Sequence, residues 1–254
     1  MPATARAGAT AMQGARRTRV SSFDPLGAQL YLWAPEASTV ELDGSSEVTE
    51  WRNLGTAGSA LDALRVSGAV TYVPGSHLVV PTGSEFLSRL AATALDVADD
   101  GALDVVGVFS SSAPNAQRFL VGGQGQTHFT LIPRWSGLSV FRVLDGVTTL
   151  QAVGASLTND GTIYCQRGRF TGAAAPSNDS SSLKTNDVAG STATANLGAV
   201  SFGADKLAFF SVGGSEFIGN CYALIAKVGG FSAGELTELT TRINAAFGTA
   251  LAGV

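Results

Sequence analysis

The sharpest candidate for chemistry in this sequence is the pair of glutamates Glu41 and Glu47. A retaining glycosidase needs two carboxyl groups about 5 Å apart, which alternate residues on one face of a strand can supply. Gly44, Ser45 and Ser46 lie between the two glutamates and favour a turn. The second glutamate therefore falls on a partner strand, and we interpret the segment as a solvated hairpin tip.

Histidine offers no better basis for catalysis. His77 and His128 are the only histidines, and no G-x-S-x-G nucleophile elbow is present. Both lie among strand-forming residues, where a hydrogen-bonded or surface side chain is expected. We therefore predict a non-enzymatic protein without catalytic residues.

Metal and cofactor patterns are also weak. Segments 99–101, 159–161 and 178–179 carry Asp or Asn that could offer oxygens to calcium, but no EF-hand pattern accompanies them. Turn formation explains each of them, and whether calcium binds stays open. The glycine-rich segment 122–125 lacks the Gly-Lys ending of a phosphate loop and is expected to be a loop or bulge. We predict no metal and no cofactor.

Tryptophan provides the one candidate for sugar recognition. Trp135 lies between Pro133-Arg134 and Ser136-Gly137, so it is the candidate for an exposed ring that stacks on a glycan.

Two cysteines, Cys165 and Cys221, are separated by 56 positions without a C-x-x-C motif. A zinc site is therefore not expected. Both lie in strand-like contexts, where a free, buried thiol is the default and a disulfide is the alternative.

Cationic side chains are concentrated at the N-terminus. Arg6, Arg16, Arg17 and Arg19 fall within residues 1–22, which contain no acidic residue, although the whole chain has a net charge of -4. The segment lacks an apolar run, so we predict a basic extended arm that docks on an acidic neighbour. The acidic remainder argues against a general nucleic-acid partner.

Export and membrane signals are not recognisable. No apolar run of the roughly seven residues that a secretory signal needs follows the arginines, and none approaches the roughly twenty residues of a membrane span. We expect no membrane partner and assembly in a cytoplasm.

Short strand candidates separated by turn residues fill residues 23–230, which is typical of one β-sandwich domain spanning residues 23–254. Turns are predicted at Asp43–Ser46, Pro74-Gly75 and Asp145-Gly146. Residues 84–98 are interpreted mainly as strand. Thr171–Leu197 is rich in Ser, Thr, Ala and Gly and is expected to be a large exposed loop or a loosely ordered insertion.

The chain ends in a strand and a helix. The apolar segment Tyr222–Val228 passes through two glycines to Ser232, and Glu235 stands three residues later, as in a capping box. An apolar face at helical spacing follows, formed by Leu236, Leu239, Ile243 and Phe247.

Three features carry a resemblance: the segment Leu30–Trp33, the segment Trp51-Arg-Asn-Leu-Gly55, and the closing strand and helix. In this order they resemble the concanavalin A-like lectin/glucanase superfamily, especially the laminin-G-like domains of bacterial surface and tailed-phage virion proteins. The resemblance spans about residues 23–250, and it implies that Trp33 and Trp51 are buried, because both stand in the family's core pattern. It implies an all-β jelly-roll sandwich of two antiparallel sheets with one C-terminal amphipathic helix.

The resemblance and the basic arm together suggest a function. We expect a virion structural or decoration protein of a tailed phage, which docks on capsid or tail proteins partly through the arm and self-associates as a homo-oligomer. The alternative is a carbohydrate-binding adhesion module that recognises a cell-surface glycan through loops or the concave face of the sandwich.

Overall fold

The computed structural model describes residues 25–111, 119–124, 128–133, 137–157, 161–173, 178–212 and 215–247, together with the backbone of 134–135. The predicted basic arm, with Arg6, Arg16, Arg17 and Arg19, lies outside the described residues.

The described residues form a predominantly β structure that ends in one α-helix, α1 (Ala233–Phe247). The strands in chain order are β1 (Leu30–Trp33), β2 (Val40–Leu42), β3 (Val48–Trp51), β4 (Ala63–Ser67), β5 (Thr71–Val73), β6 (His77–Val80), β7 (Glu85–Ala91), β8 (Ala102–Ser111), β9 (Val121–Gly123), β10 (Phe129–Trp135), β11 (Leu138–Leu144), β12 (Thr149–Val153), β13 (Tyr164–Thr171), β14 (Asp179–Thr185), β15 (Val188–Ala195), β16 (Lys206–Phe209), β17 (Ser211–Val212), β18 (Ser215–Glu216) and β19 (Gly219–Val228). Short 3-10 turns lie at Ala37–Thr39, Gly58–Leu61 and Thr93–Leu95.

Two large antiparallel sheets pack face to face. Sheet A runs in the order β15-β14-β13-β8-β19-β6-β5, and β1 also pairs with β19. Sheet B runs in the order β12-β11-β10-β9-β16-β7-β4-β3-β2. The strand order is not sequential in either sheet, as in a jelly roll. The predicted all-β sandwich with a single C-terminal helix is confirmed.

The core lies between the sheets and is built by alternation. On β8, Leu103, Val105 and Phe109 point inward, and on β11 Phe141 and Val143 do the same. The intervening residues face outward because side chains alternate along a strand. The predicted hairpin turns are also present, since the strand pairs β2–β3, β5–β6 and β11–β12 are each connected through the expected turn residues.

Helix α1 covers the outer face of sheet A. Leu239 and Ile243 are buried there against outward side chains of β1, β8 and β19, including Val106 and Ile225. The predicted capping box is present, because the Ser232 N–H donates to Glu235 Oε2 (2.8 Å) and the Glu235 N–H donates to Ser232 Oγ (3.3 Å). The helix start is therefore fixed by side chains as well as by packing.

Glu235 gives this helix start an acid-sensitive component. Its carboxylate accepts a hydrogen bond from Lys227 Nζ (2.5 Å), and this contact together with the Ser232 N–H lowers the pKa of Glu235 to about 2. A carboxyl group whose pKa is lowered by folding stabilises the protein at pH values above its pKa in the unfolded chain. This stabilisation is lost as the pH falls through the pKa of the same group in the folded protein. We expect Glu235→Gln to unfold at a lower urea midpoint at pH 7, and the gap from wild type to close between about pH 4.5 and 2. A gap that stays constant over that range would contradict this assignment.

The expectation for Thr171–Leu197 is wrong, because most of this segment forms the hairpin β14–β15 of sheet A. Alternate residues of β14 face inward, although three of them, Asp179, Ser181 and Thr185, are polar. Asp179 is satisfied by accepting hydrogen bonds from the Ala173 N–H (2.7 Å) and the Leu197 N–H (2.5 Å). The turn is made by Asn186 and Asp187, both at positive φ.

The segment Trp51–Gly55 owes its structure to Asn53, which is 2 % exposed. Its Oδ1 accepts hydrogen bonds from the Tyr31 N–H (2.7 Å) and the Gly55 N–H (2.8 Å). Its Nδ2 donates to the carbonyls of Gln29 (2.9 Å) and Gly58 (3.0 Å). The side chain thus joins the start of β1 to the loop after β3. A Cβ on Gly55 would lie 2.2 Å from a backbone oxygen, so glycine is required there.

No helix in the described part of the chain has the length and apolar character needed to cross a bilayer.

Candidate ligand-binding face

The two sheets differ in what covers their outer faces. Helix α1 packs on sheet A, whereas no described helix packs on the outer face of sheet B. The outward side chains of sheet B that stay partly exposed are therefore the candidate for contact with a ligand.

Strand registers place one residue from each strand of sheet B in a single outward row. The row begins with polar residues, passes through two small ones and two leucines, and ends with two glutamates. In order it comprises Gln151, Arg142, Thr130, Gly122, Ala208, Leu87, Leu64, Glu50 and Glu41.

The polar end of the row lies on β10, β11 and β12. Arg142 is partly buried between its cross-strand neighbours Thr130 and Gln151, and its Nη2 donates to Gln151 Oε1 (3.2 Å). Burial lowers the pKa of Arg142, because removal from water penalises the charged guanidinium. Thr130 is fully buried, and its hydroxyl has no hydrogen-bond partner within the described ranges. This end can present donors of fixed direction to a ligand.

The centre of the row is closed. Ala208 is buried under Phe119 and Val212, with Leu87 packed against them. Gly122 lies so close to β10 that a Cβ would be 2.5 Å from the Phe129 carbonyl oxygen. A ligand would therefore meet the face at either flank and not at its middle.

The opposite flank carries an ion-pair network. Arg89 Nη2 lies 2.9 Å from Glu50 Oε2 and 3.7 Å from Asp62 Oδ2. Burial and the neighbouring Asp62 carboxylate raise the pKa of Glu50. Arg52 pairs with Glu41 and lies 3.7 Å from Glu50 Oε1. Because these charged groups already form ion pairs with one another, a ligand that bound at this flank would have to compete with those ion pairs.

The structure separates the two glutamates considered for glycoside hydrolysis. Glu41 pairs with Arg52, whereas Glu47 pairs with Arg65 (2.6 Å), which also contacts Asp43 (2.8 Å). Asp43 Oδ1 in addition accepts the Glu47 N–H (3.0 Å). The segment is the hairpin tip predicted from the sequence.

Both histidines hold structural contacts. His77 Nδ1 is 2.8 Å from Ser76 Oγ, and its ring lies on Tyr222 with centroids 5.0 Å apart. His128 Nε2 is 3.3 Å from Asp205 Oδ2. The described residues contain no group of three or more His, Cys, Asp or Glu side chains placed to hold a metal ion.

Cys165 and Cys221 are free and buried. Cys165 points toward α1 and Cys221 toward the inter-sheet core. Strand β8 lies between their strands, which places them about 10 Å apart, too far for a disulfide. Burial raises the pKa of Cys165 to about 12, so its thiol is unreactive.

The predictions for the three tryptophans have different outcomes. Trp33 and Trp51 are buried, as expected, with 7 % and 0 % exposure. The backbone of Trp135 ends β10 and pairs with Leu138, but its side chain lies outside the described residues. Trp135 therefore belongs to the same hairpin as Arg142, and its contact with a glycan stays a prediction.

Neither Arg142 nor Gln151 stands out in the sequence as a candidate site residue. Alternation in Leu138–Leu144 and Thr149–Val153 puts both on the outward face, but their juxtaposition depends on the register between β11 and β12. The segment 122–125 was also misassigned in part, because Val121–Gly123 forms β9.

Neither protein-family models nor curated protein sequences gave a match to this chain. Solved structures do match at the level of fold. The receptor binding domain of botulinum neurotoxin C/D mosaic serotype has a TM-score of 0.58 and 8% identity, and the match covers 85% of this chain and 51% of that one. This chain thus spans about half the length of the neurotoxin domains it matches.

Two further matches were solved with sugars bound. Domain 4 of AbnA, a GH43 extracellular arabinanase from Geobacillus stearothermophilus, in complex with arabinotriose, has a TM-score of 0.50 and 14% identity over 84% of this chain and 97% of that one. The botulinum neurotoxin serotype D ligand binding domain, in complex with N-acetylneuraminic acid, has a TM-score of 0.54 and 9% identity over 83% and 49%. At these identities the matches establish the fold alone.

Proposed function

We propose that this protein is a non-catalytic carbohydrate-binding module that recognises a glycan on the outer face of sheet B. The observation that carries the proposal is the polar end of the cross-strand row, where Arg142 donates a hydrogen bond to Gln151 on one side and neighbours the buried Thr130 on the other. Sugar sites combine a few placed hydrogen-bonding groups with apolar surface. Leu138, at the start of β11, is 44 % exposed and supplies apolar surface on the same strand as Arg142.

The proposal is supported by two proteins of similar fold that were solved in complex with saccharides, arabinotriose in one and N-acetylneuraminic acid in the other. Trp135 would add a stacking ring at the end of the same hairpin.

The test is a glycan array probed with the wild-type chain and two arginine variants. We expect Arg142→Ala to weaken binding about 10- to 100-fold, because a charge-assisted hydrogen bond contributes roughly 1.5–3 kcal/mol. Arg52→Ala is the matched control, since it removes an arginine from the opposite flank of the same face. Binding lost with Arg52→Ala and kept with Arg142→Ala would place the site on the wrong flank, and a wild-type chain that binds no glycan would refute the proposal.

A particle-associated role remains a separate prediction. Residues 1–22 and their four arginines would dock the sandwich on the capsid or tail proteins of a phage-like particle, and the chain would self-associate there. Glycan binding and particle attachment are compatible in one virion protein. Gradient sedimentation of full-length chain against a variant lacking residues 1–22 tests it, since only the full-length chain should travel with particles.

A further inference from the structure

Strands β13 and β14 place three cationic side chains on the outer face of sheet A, beside the part that α1 covers. On β13, Arg167 and Arg169 lie on the face opposite to Phe170, which packs in the core between the sheets. On β14, Lys184 lies directly opposite Arg167 in the antiparallel register. Like charges directly opposite each other destabilise a pair of strands. A bound anion at this position would remove that repulsion.

A single carboxylate faces the two arginines. Asp104 Oδ1 lies 3.9 Å from Arg167 Nε, and Asp104 Oδ2 lies 3.7 Å from Arg169 Nη1. Both distances exceed that of a hydrogen bond. Asp104 Oδ2 instead accepts the Phe231 N–H (2.7 Å). The Asp104 carboxylate therefore balances only one of the two guanidinium charges.

The other charged groups of this face form pairs of their own. Lys227, next to Asp104 on β19, donates to Glu235 Oε1 (2.5 Å), and Lys184 donates to Asp187 Oδ1 (3.0 Å). Together with the two arginines, this part of the face has four cations and three carboxylates among the described side chains. It therefore carries a surplus of one positive charge.

Arg167 is the most buried of the four cations. Its side chain is 10 % exposed, and its Nε and Nη1 atoms donate no hydrogen bond within the described part of the chain. Burial lowers the pKa of Arg167, because removal from water penalises the charged guanidinium. Buried charges are normally paired and hydrogen-bonded. An anion beside Arg167 would supply the negative charge that this guanidinium lacks.

Arg169 and Lys184 keep the same place open to solvent. Their side chains are 35 % and 37 % exposed. Ser182, the cross-strand neighbour of Arg169, and Thr192, the neighbour of Ser182 on β15, add hydroxyl groups to the outward row. Guanidinium, ammonium and hydroxyl groups are the donors that phosphate oxygens accept. Donors spread over three strands fit the tetrahedral oxygens of phosphate better than the two coplanar oxygens of a carboxylate.

We infer that Arg167, Arg169 and Lys184 form a binding site for a phosphate group, either the free ion or a group carried by a small molecule. Arg169 and Lys184 would contact the phosphate oxygens, and Arg167 would add its charge from the more buried side. This site lies on the other sheet from the glycan site proposed above, so either proposal can fail without the other.

Titration of the isotope-labelled 254-residue chain with inorganic phosphate tests this inference, at constant pH and ionic strength. Nuclear magnetic resonance follows the Nε–Hε signals of the arginines. We expect the signals of Arg167 and Arg169 to shift and saturate with a dissociation constant of about 1 mM, because a few charge-assisted hydrogen bonds supply the affinity. The signal of Arg52, which pairs with Glu41 on sheet B, should stay unchanged. A drift without saturation that all arginines share would overturn the inference.

Two matched lysine variants locate the site. Lys184→Met should weaken phosphate binding about 5-fold or more, because it removes one of the three cations. Lys206→Met makes the same substitution on β16 of sheet B and should leave the affinity unchanged. Arg169→Gln provides a further variant and should weaken binding about 10-fold or more. Urea denaturation verifies that each variant is folded. Equal affinities of Lys184→Met and Lys206→Met, or full binding by Arg169→Gln, would contradict the assignment.

Two further probes define the ligand. Acetate should bind at least about 5-fold more weakly than phosphate, since its two oxygens cannot reach all three cations. Equal affinity for acetate would overturn the preference for phosphate. Glucose 6-phosphate separates the two sources: binding at least as tight as that of inorganic phosphate supports a group carried by a larger molecule, and binding of inorganic phosphate alone supports a free ion.

Discussion

Replacing Asn53 with alanine is expected to lower the free energy of unfolding by roughly 3–5 kcal/mol. The substitution leaves two backbone N–H groups and two carbonyls without the partners that the amide supplies. Each polar group left unsatisfied in a buried site costs about 1–3 kcal/mol, less where water can enter. Urea denaturation followed by circular dichroism measures the loss.

Asn220→Ala is the matched control for Asn53. Asn220 lies on β19, is partly buried, and makes one hydrogen bond to Ser110 Oγ (3.3 Å). Its removal should cost about 1 kcal/mol or less. If the two variants unfold at similar urea concentrations, Asn53 does not have the structural role assigned to it.

Loss of the Asp104 carboxylate should be about as damaging. Asp104 is fully buried beside α1, where its Oδ2 accepts the Phe231 N–H (2.7 Å). It faces Arg169 (3.7 Å) and Arg167 (3.9 Å). Asp104→Ala leaves the Phe231 N–H without its acceptor and the two arginines without the polar group that they face, and each polar group left unsatisfied in a buried site costs about 1–3 kcal/mol. We expect a destabilisation of about 3 kcal/mol or more, measured by urea denaturation at pH 7.

The pH dependence of this effect has the opposite sign to that of Glu235. Burial raises the pKa of Asp104, against the lowering effects of Phe231 and the arginines. The contribution of Asp104 to the stability of the fold is therefore fully present at pH values below its pKa in the unfolded chain. It declines as the pH rises through the pKa of Asp104 in the folded protein. The stability gap between wild type and Asp104→Ala should be wider near pH 4 than at pH 7.

Two variants complete the test of Asp104. Glu238→Ala removes a carboxylate that pairs with Arg242 at the surface of α1 and should cost less than about 1 kcal/mol. The double variant Asp104→Leu with Arg167→Met should recover part of the lost stability, because it removes the uncompensated charge. Equal losses in the single variant and the double variant would show that charge is not the cause.

Local chemistry made the fold largely predictable. Asp145-Gly146 and Pro74-Gly75 each sit between strands in the structure, and the Ser232 and Glu235 pair starts the helix. These signals act over a few residues, so they can be recognised without a tertiary context. Hairpin β14–β15 was missed because its inward residues include Asp179 and Ser181, whose burial depends on partners far along the chain.

The candidate site could be predicted only in part for the same reason. Alternation places Arg142 outward, but nothing local shows that Gln151 lies beside it or that Thr130 lies opposite. Likewise, the buried environment of Asp104 is created by Phe231 and by β13. Contacts of this kind depend on sheet register.

The most direct test of glycan recognition is chemical-shift mapping of the isotope-labelled chain with the sugar that gives the strongest array signal. Binding at the polar end of sheet B should shift the amide signals of Thr130, Arg142 and Gln151, together with the Gln151 side-chain amide, and leave those of α1 unchanged. Shifts confined to α1 and the outer face of sheet A would contradict the account.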